Sequence, residues 1–218
     1  IYCLKLIMNK IKCECCGNED IDKFKELNYS ESSSMNYPKI LDDTNILFCT
    51  NCTFAFNDTK IDYDILSLYY SKYYNGKASK SFYNVNKEFV TKLFNDDRSI
   101  SQLNLLSNFI NFSNKKILDI GSGICVFFLQ INNKYPNSDL KKYIIEKQIN
   151  NLDWYNQNNI HILNFDILEK IPNQYYGFFD LITMSHSLEH FQNYDLHKIF
   201  SNINLLLKKK GKLFIEVP

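Results

Sequence analysis

Four cysteines stand in two C-x-x-C pairs, Cys13 with Cys16 in CECCG and Cys49 with Cys52 in CTNC. Zinc prefers four thiolates in a tetrahedron, and each C-x-x-C wraps a tight turn that aims two sulfurs at one metal. The double pair therefore predicts a structural zinc site, with every coordination position taken by the protein and none open for catalysis. Gly17, directly after the first pair, suits the positive φ of such a turn. Phe48 and Phe54 flank the second pair in the manner of ribbon strands. Buried free thiols or a redox pair are the alternatives, but a redox C-x-x-C belongs between a strand and a helix of a βαβ unit, and no such pattern surrounds either pair. Cys15 would break the two-residue spacing, and Cys3 and Cys125 read as ordinary small residues. The odd total of seven, in a chain without an export signal, argues against a disulfide framework.

The second constellation is KILDIGSGICVFFLQ, residues 116–130. A short apolar strand carries Asp119 near its end and runs into Gly121, Ser122 and Gly123, after which a helix begins at Val126. A strand, glycine turn and helix bring backbone N–H groups and a helix N-terminus close to a ligand. A dinucleotide fingerprint would need glycine where Val126 stands, and a triphosphate loop would need Gly-Lys-Ser/Thr, so both are excluded. A second strand over 142–145 ends in Glu146, a carboxylate placed to accept both hydroxyls of a ribose. Further on, His186, Glu189 and His190 match H-x-x-E-H, the zinc signature of inverted zinc peptidases. That chemistry needs both histidines on one face of a regular helix and a third ligand downstream. A purely structural pair of histidines is the bland alternative.

Around these residues the sequence predicts an α/β protein with a small module in front. The expected organisation is a zinc-binding module over 1–60, a tyrosine-rich linker or lid over 61–85, and a doubly wound, Rossmann-like core over 86–218. The linker reads either as a packing segment between modules or as a lid whose phenols face a substrate. Two amphipathic helices should follow. Phe89, Val90, Leu93 and Phe94 share one face, and Leu103, Leu106, Phe109 and Ile110 another, with the polar NDDRS stretch between them. Strands are expected over 117–120, 142–145, 160–163, 180–184 and 212–218. A helix over 195–207 should bury Leu196, Ile199, Phe200, Ile203, Leu206 and Leu207, with a basic turn and glycine stop at 208–211. Strand and helix alternate through five repeats, which favours a parallel sheet.

In these motifs the sequence resembles the class I S-adenosylmethionine-dependent methyltransferases, whose first motif is an acidic residue followed by G-x-G-x-G. Asp119, Gly121 and Gly123 match, and Cys125 replaces the third glycine. The resemblance implies that Asp119, Gly121, Ser122, Gly123 and Glu146 hold S-adenosyl-L-methionine. It further implies that Asp166 and Ile167 contact the adenine, and that Ser185 opens the segment after the fourth strand. With the four-cysteine module and the tyrosine-rich stretch, the chain resembles the sugar methyltransferases that modify deoxysugars. A tyrosine before the core and a histidine after the fourth strand are implicated in catalysis there. Tyr74 and His190 correspond, with Tyr69, Tyr70 and Tyr73 as close alternatives to the first. The implied chemistry is an in-line displacement from a sulfonium, with His190 as general base and Tyr74 orienting the acceptor. Oxygen and carbon acceptors both fit. That family has two more strands after the fifth, so a fragment or a degenerate member is expected, with reduced cofactor affinity. Met8 is the expected natural start.

Composition narrows the partners. Lys+Arg number 25 against 24 Asp+Glu, and Arg98 is the single arginine, so the basic surplus of a phosphate-backbone binder is missing. A small-molecule acceptor is expected, and the balanced charge disfavours nucleic acid as the target. An RNA methyltransferase guided by a zinc ribbon, and an inactive binding scaffold, are the competing readings. No apolar run approaches the roughly 20 residues of a membrane span, and a cytoplasmic location is expected.

Overall fold

The computed structural model describes residues 11–27, 44–57, 96–147, 149, 152–192 and 195–218. The chain divides into two compact units, Ile1–Lys77 and Ala78–Pro218.

In the first unit, β1 (Ile21–Leu27), β2 (Thr44–Cys49) and β3 (Ala55–Asn57) form an antiparallel sheet in that order. Among the described residues its buried core comprises Cys13, Leu47, Cys49 and Phe56, with Ile21 and Cys52 packed against them. Phe54 departs from the expected ribbon position. It is 40% exposed and stacks flat on Phe56 at 5.9 Å, covering the core from outside.

The second unit contains α1 (Asp97–Leu106), β4 (Lys116–Ile120), α2 (Val126–Lys134), β5 (Lys141–Ile145), α3 (Leu152–Gln157), β6 (Ile160–Ile162), β7 (Phe179–Ser185), α4 (Leu196–Leu206) and β8 (Leu207–Glu216). The five strands are parallel in the order β6-β5-β4-β7-β8. Strand direction of growth reverses between β4 and β7, which is the topological switch point where open α/β sheets bind ligands. Both faces are covered, so the strands read as apolar runs rather than alternating ones. Ile117, Ile144 and Leu181 pack under Leu103, Phe128, Ile131 and Tyr155, whereas Leu118, Ile145 and Ile182 pack under Ile199, Ile203 and Leu206.

Several expectations are corrected. Within the polar NDDRS stretch, expected between two helices, Asp97 to Ser99 already form the first turn of α1, because the Asp96 carboxylate accepts from the Ser99 N–H at 2.8 Å and caps the helix. Phe109 lies past its end and is 60% exposed. Phe200 is 40% exposed, so the buried stripe of α4 is narrower than expected. Between β6 and β7 the described connection holds a single 3-10 turn, Asn173–Tyr175, in place of a helix. The residues expected to form a basic turn and glycine stop belong to β8. Phe179 pairs with Leu207 but Leu181 with Lys212, so residues 208–211 bulge out of a continuous strand. Residues 87–94, expected to be helical, lie outside the described residues.

Candidate functional site

The four paired cysteines come together. The Sγ atoms of Cys13, Cys16, Cys49 and Cys52 all lie within 4.8 Å of one another. Cys13 and Cys52 approach to 3.5 Å and Cys16 and Cys49 to 3.6 Å. A tetrahedron of thiolates around one zinc has edges of about 3.8 Å, so the donor set fits a single tetrahedral ion. The two turns are built alike. The Gly17 N–H donates to the Cys13 carbonyl at 2.8 Å and the Thr53 N–H to the Cys49 carbonyl at 3.0 Å. Gly17 and Thr53, each directly after its pair, both adopt positive φ, 76° and 62°. The Asn51 carboxamide reaches the Cys16 sulfur at 3.6 Å and the Asn18 carboxamide the Cys49 sulfur at 3.6 Å. The Asn18 backbone N–H and the Asn51 side chain hold the Cys16 thiol below its ordinary pKa, whereas, against a hydrogen bond from the Phe54 backbone, burial and the three neighbouring cysteines push the Cys52 thiol up to about 12. Cys15 is exposed and outside the cluster.

In the second unit the glycine turn closes at the carboxyl end of β4. Gly121 and Gly123 take positive φ of 71° and 53°. Cys125 takes the same left-handed conformation at 62°, so cysteine fills a glycine position while its side chain is fully buried as the N-cap of α2. Burial pushes its thiol pKa well up. Two side chains from α3 tie the turn down. Tyr155 donates to the Gly123 carbonyl at 2.6 Å and the Trp154 indole to the Ile124 carbonyl at 3.1 Å. Nothing in the sequence marked these two, since an aromatic pair on a short helix reads as packing.

Gly121 faces the loop after β7 across the switch point. A Cβ there would stand 2.5 Å from the Ser187 Cβ, whereas one at Gly123 would meet nothing within 4 Å. Gly121→Ala should therefore cost about 1–2 kcal/mol in backbone strain and about 1–3 more in overpacking. Gly123→Ala should cost only the strain. Urea unfolding followed by the fluorescence of Trp154, the single tryptophan, compares them. Equal losses would mean that the Ser187 contact yields freely.

Asp119 is buried, 5% exposed, and accepts from Thr183 Oγ1 at 2.7 Å on the neighbouring strand. Loss of solvent raises its pKa from 3.8 to about 7, against the Thr183 hydrogen bond and with a further push from the Glu146 charge. Glu146, at the end of β5, accepts from the Gly123 N–H at 2.9 Å. Asp166 accepts from the Leu168 N–H at 2.9 Å and lies 3.6 Å from the Lys147 ammonium, and the Ile167 side chain is buried. Ser122 sits in the turn, with the Cys125 thiol 3.4 Å from its hydroxyl. Asp119, Ser122, Glu146 and Asp166 thus line the carboxyl ends of β4, β5 and β6.

Ser185, at the end of β7, is tied into a polar group the sequence did not reveal. Its hydroxyl donates to Glu216 Oε2 at 2.7 Å, and the Gln102 amide donates to both. Glu216 was marked only by being a charge in the apolar run KLFIEVP. His186 has a positive φ of 51°, and Leu188–His190 is one 3-10 turn. The two histidines therefore share no regular helix face, and the peptidase geometry is not formed. His190 is exposed and its N–H donates to the Ser187 carbonyl at 3.2 Å. Tyr74 and its neighbours Tyr69, Tyr70 and Tyr73 lie outside the described residues.

A family profile described as a methyltransferase domain matches residues 93–218. Among solved structures, phosphoethanolamine N-methyltransferase 1 of Haemonchus contortus, in complex with phosphoethanolamine and S-adenosylhomocysteine, is 16% identical. The match covers 70% of this chain and 31% of that one at a TM-score of 0.50. A SAM-dependent methyltransferase from Archaeoglobus fulgidus is 18% identical, covering 61% and 59% at 0.44. A Methanococcus maripaludis protein, provisionally named an S-adenosyl-L-methionine-dependent methyltransferase, is 24% identical, covering 59% and 58% at 0.47. The chain spans less than two thirds of each of these structures. No curated protein matches it significantly. Among the described residues no helix is long and apolar enough to cross a membrane.

Proposed function

This chain belongs to the methyltransferase-domain family through residues 93–218, and from that premise we propose that it transfers a methyl group from S-adenosylmethionine to a small-molecule acceptor. The observation that carries the reading is the Glu146 carboxylate on the Gly123 N–H, 2.9 Å away at the carboxyl ends of β5 and β4. It sets a ribose-binding acceptor beside a turn whose glycines leave room for a ligand. When bound, S-adenosylmethionine supplies an electrophilic methyl group on a sulfonium.

The chain's residues take these roles. Glu146 accepts from the ribose hydroxyls and Asp166 from the adenine amine, with Ile167 beside it. Gly121, Ser122 and Gly123 let the backbone approach the ligand, and Asp119 anchors the turn from below. Ser185 lines the cofactor side of the β7 loop. His190 takes the proton that the acceptor loses on methylation, and Tyr74 orients the acceptor. The acceptor we propose is a sugar or a nucleotide-linked sugar. The first unit, over about residues 1–60, is proposed to hold one structural zinc through Cys13, Cys16, Cys49 and Cys52. Residues 61–85 are proposed as linker or lid.

Calorimetric titration with S-adenosylhomocysteine tests the cofactor site, and the absence of binding at millimolar concentration would defeat it. Glu146→Ala removes a charged acceptor worth about 1.5–3 kcal/mol. Affinity should fall by roughly 10- to 100-fold, with the Trp154 emission of the unliganded protein unchanged. An unaltered affinity would remove Glu146 from the ribose role.

A further inference from the structure

The amino ends of β4, β7 and β8 border a second cavity of about 350 Å³, at the opposite end of the parallel strands from the glycine turn. Lys115, Lys208, Lys209, Lys210 and Lys212 line it, together with Asp180, Phe109, Ile110, Asn111 and Gly211. Asp180 is the one carboxylate among these residues, and it is already engaged. Its oxygens lie 2.8 Å from the Lys208 ammonium and 3.6 Å from that of Lys115, and accept from the Lys116 N–H at 3.0 Å. Burial alone would raise the Asp180 pKa, but these cations hold it below the ordinary carboxylate value, so its charge is kept. Lys209, Lys210 and Lys212 have no ion-pair partner among the described residues.

The bulge in β8 brings four of these lysines, Lys208, Lys209, Lys210 and Lys212, into one short segment of the lining. Lys210 adopts a φ of 69°, a conformation that a lysine takes at a cost, although glycine stands next to it. Gly211 is needed for another reason. A Cβ there would meet the Lys208 carbonyl oxygen at 2.9 Å, so the glycine lets the bulge close tightly. Five lysines around one cavity, with Asp180 as the one carboxylate among its lining residues, leave it with a net positive charge, which a multiply charged anion would balance. Ammonium groups are compact, strongly hydrated donors suited to phosphate oxygens.

We propose that this cavity binds the diphosphate group of a small molecule, separately from the proposed methyl-transfer site. Lys209, Lys210 and Lys212 supply the free cations, and the Asp180 pairs fix Lys115 and Lys208 at its base.

Titration with inorganic pyrophosphate tests this. Saturable binding is expected, weakened by salt, and at least tenfold weaker in the double variant Lys209→Ala, Lys212→Ala. S-adenosylhomocysteine affinity should be the same in both proteins, which separates this site from the glycine turn. Lys210→Gly guards against a merely structural effect, because it removes a cation while relieving the backbone. It should raise the thermal midpoint and still weaken pyrophosphate binding several-fold. The proposal is overturned if pyrophosphate does not saturate the protein, if the lysine variants bind it equally well, or if S-adenosylhomocysteine displaces it. Tight binding of single-stranded RNA that pyrophosphate cannot displace would also overturn it.

Discussion

Replacing Cys49 by serine should unfold the first unit and abolish binding of the proposed zinc. Among the described residues of that unit, two of the four buried core side chains, Cys13 and Cys49, are proposed ligands. The remaining pair, Leu47 and Phe56, contributes together only about 3–6 kcal/mol of apolar burial. Zinc binding in comparable small modules supplies about 10–16 kcal/mol of apparent folding free energy. Such an ion would outweigh the apolar burial of these two side chains. The measurement is zinc content per chain in a reduced preparation, followed by amide exchange across residues 11–57 before and after chelation. One zinc per chain and protected β1–β3 amides are expected, with both lost in Cys49→Ser. All described α-helices lie in the second unit, so the far-ultraviolet helix signal provides the internal reference. Protected strands in a metal-free protein would defeat the zinc reading.

Asp119→Asn should stabilise the second unit at pH 8 by up to about 4 kcal/mol, the free energy matching a pKa raised from 3.8 to about 7. The sign follows from proton binding. Between those two values the folded chain holds a proton on Asp119 that the unfolded chain has released. Stability contributed by this group is thus complete below pH 3.8 and drains away as pH rises through about 7, after which the penalty is constant. Asparagine does not titrate, and its carbonyl oxygen can still accept from Thr183. The variant should match the parent near pH 4 and gain on it steadily to pH 7. Urea unfolding read from Trp154 fluorescence gives the comparison, because the indole is hydrogen-bonded to the turn itself. A difference that does not change with pH would sink the assignment. An acid kept in the core at this cost has a reason other than stability, and its place under the glycine turn fits the proposed cofactor site.

Much of the second unit was legible because a parallel sheet covered on both faces needs near-continuous apolar strands. The β4, β5 and β7 strands of the structure extend the expected ones by only a residue at one or both ends. The misses share a cause. Asp97 to Ser99 looked like part of an interhelical segment because their polarity is local, whereas their place in the first turn of a helix depends on the Asp96 cap. Residues 208–211 looked like a stop because glycine and lysines end helices, and only pairing with β7 turned them into a bulge.

By itself the sequence determined the elements whose reason is local. The C-x-x-C pairs, the Asp119 to Gly123 turn and the carboxylate ending β5 are fixed by neighbours a few residues away. Tertiary structure decided what depends on long-range approach. It brought Tyr155 and Trp154 onto the turn, paired Asp119 with Thr183 and joined Gln102, Ser185 and Glu216. It also gathered lysines from two segments, 115 and 208–212, around one cavity. Such contacts are set by strand order and register, and a one-residue slip of a strand would turn residues such as Asp119 or Thr183 to the other face.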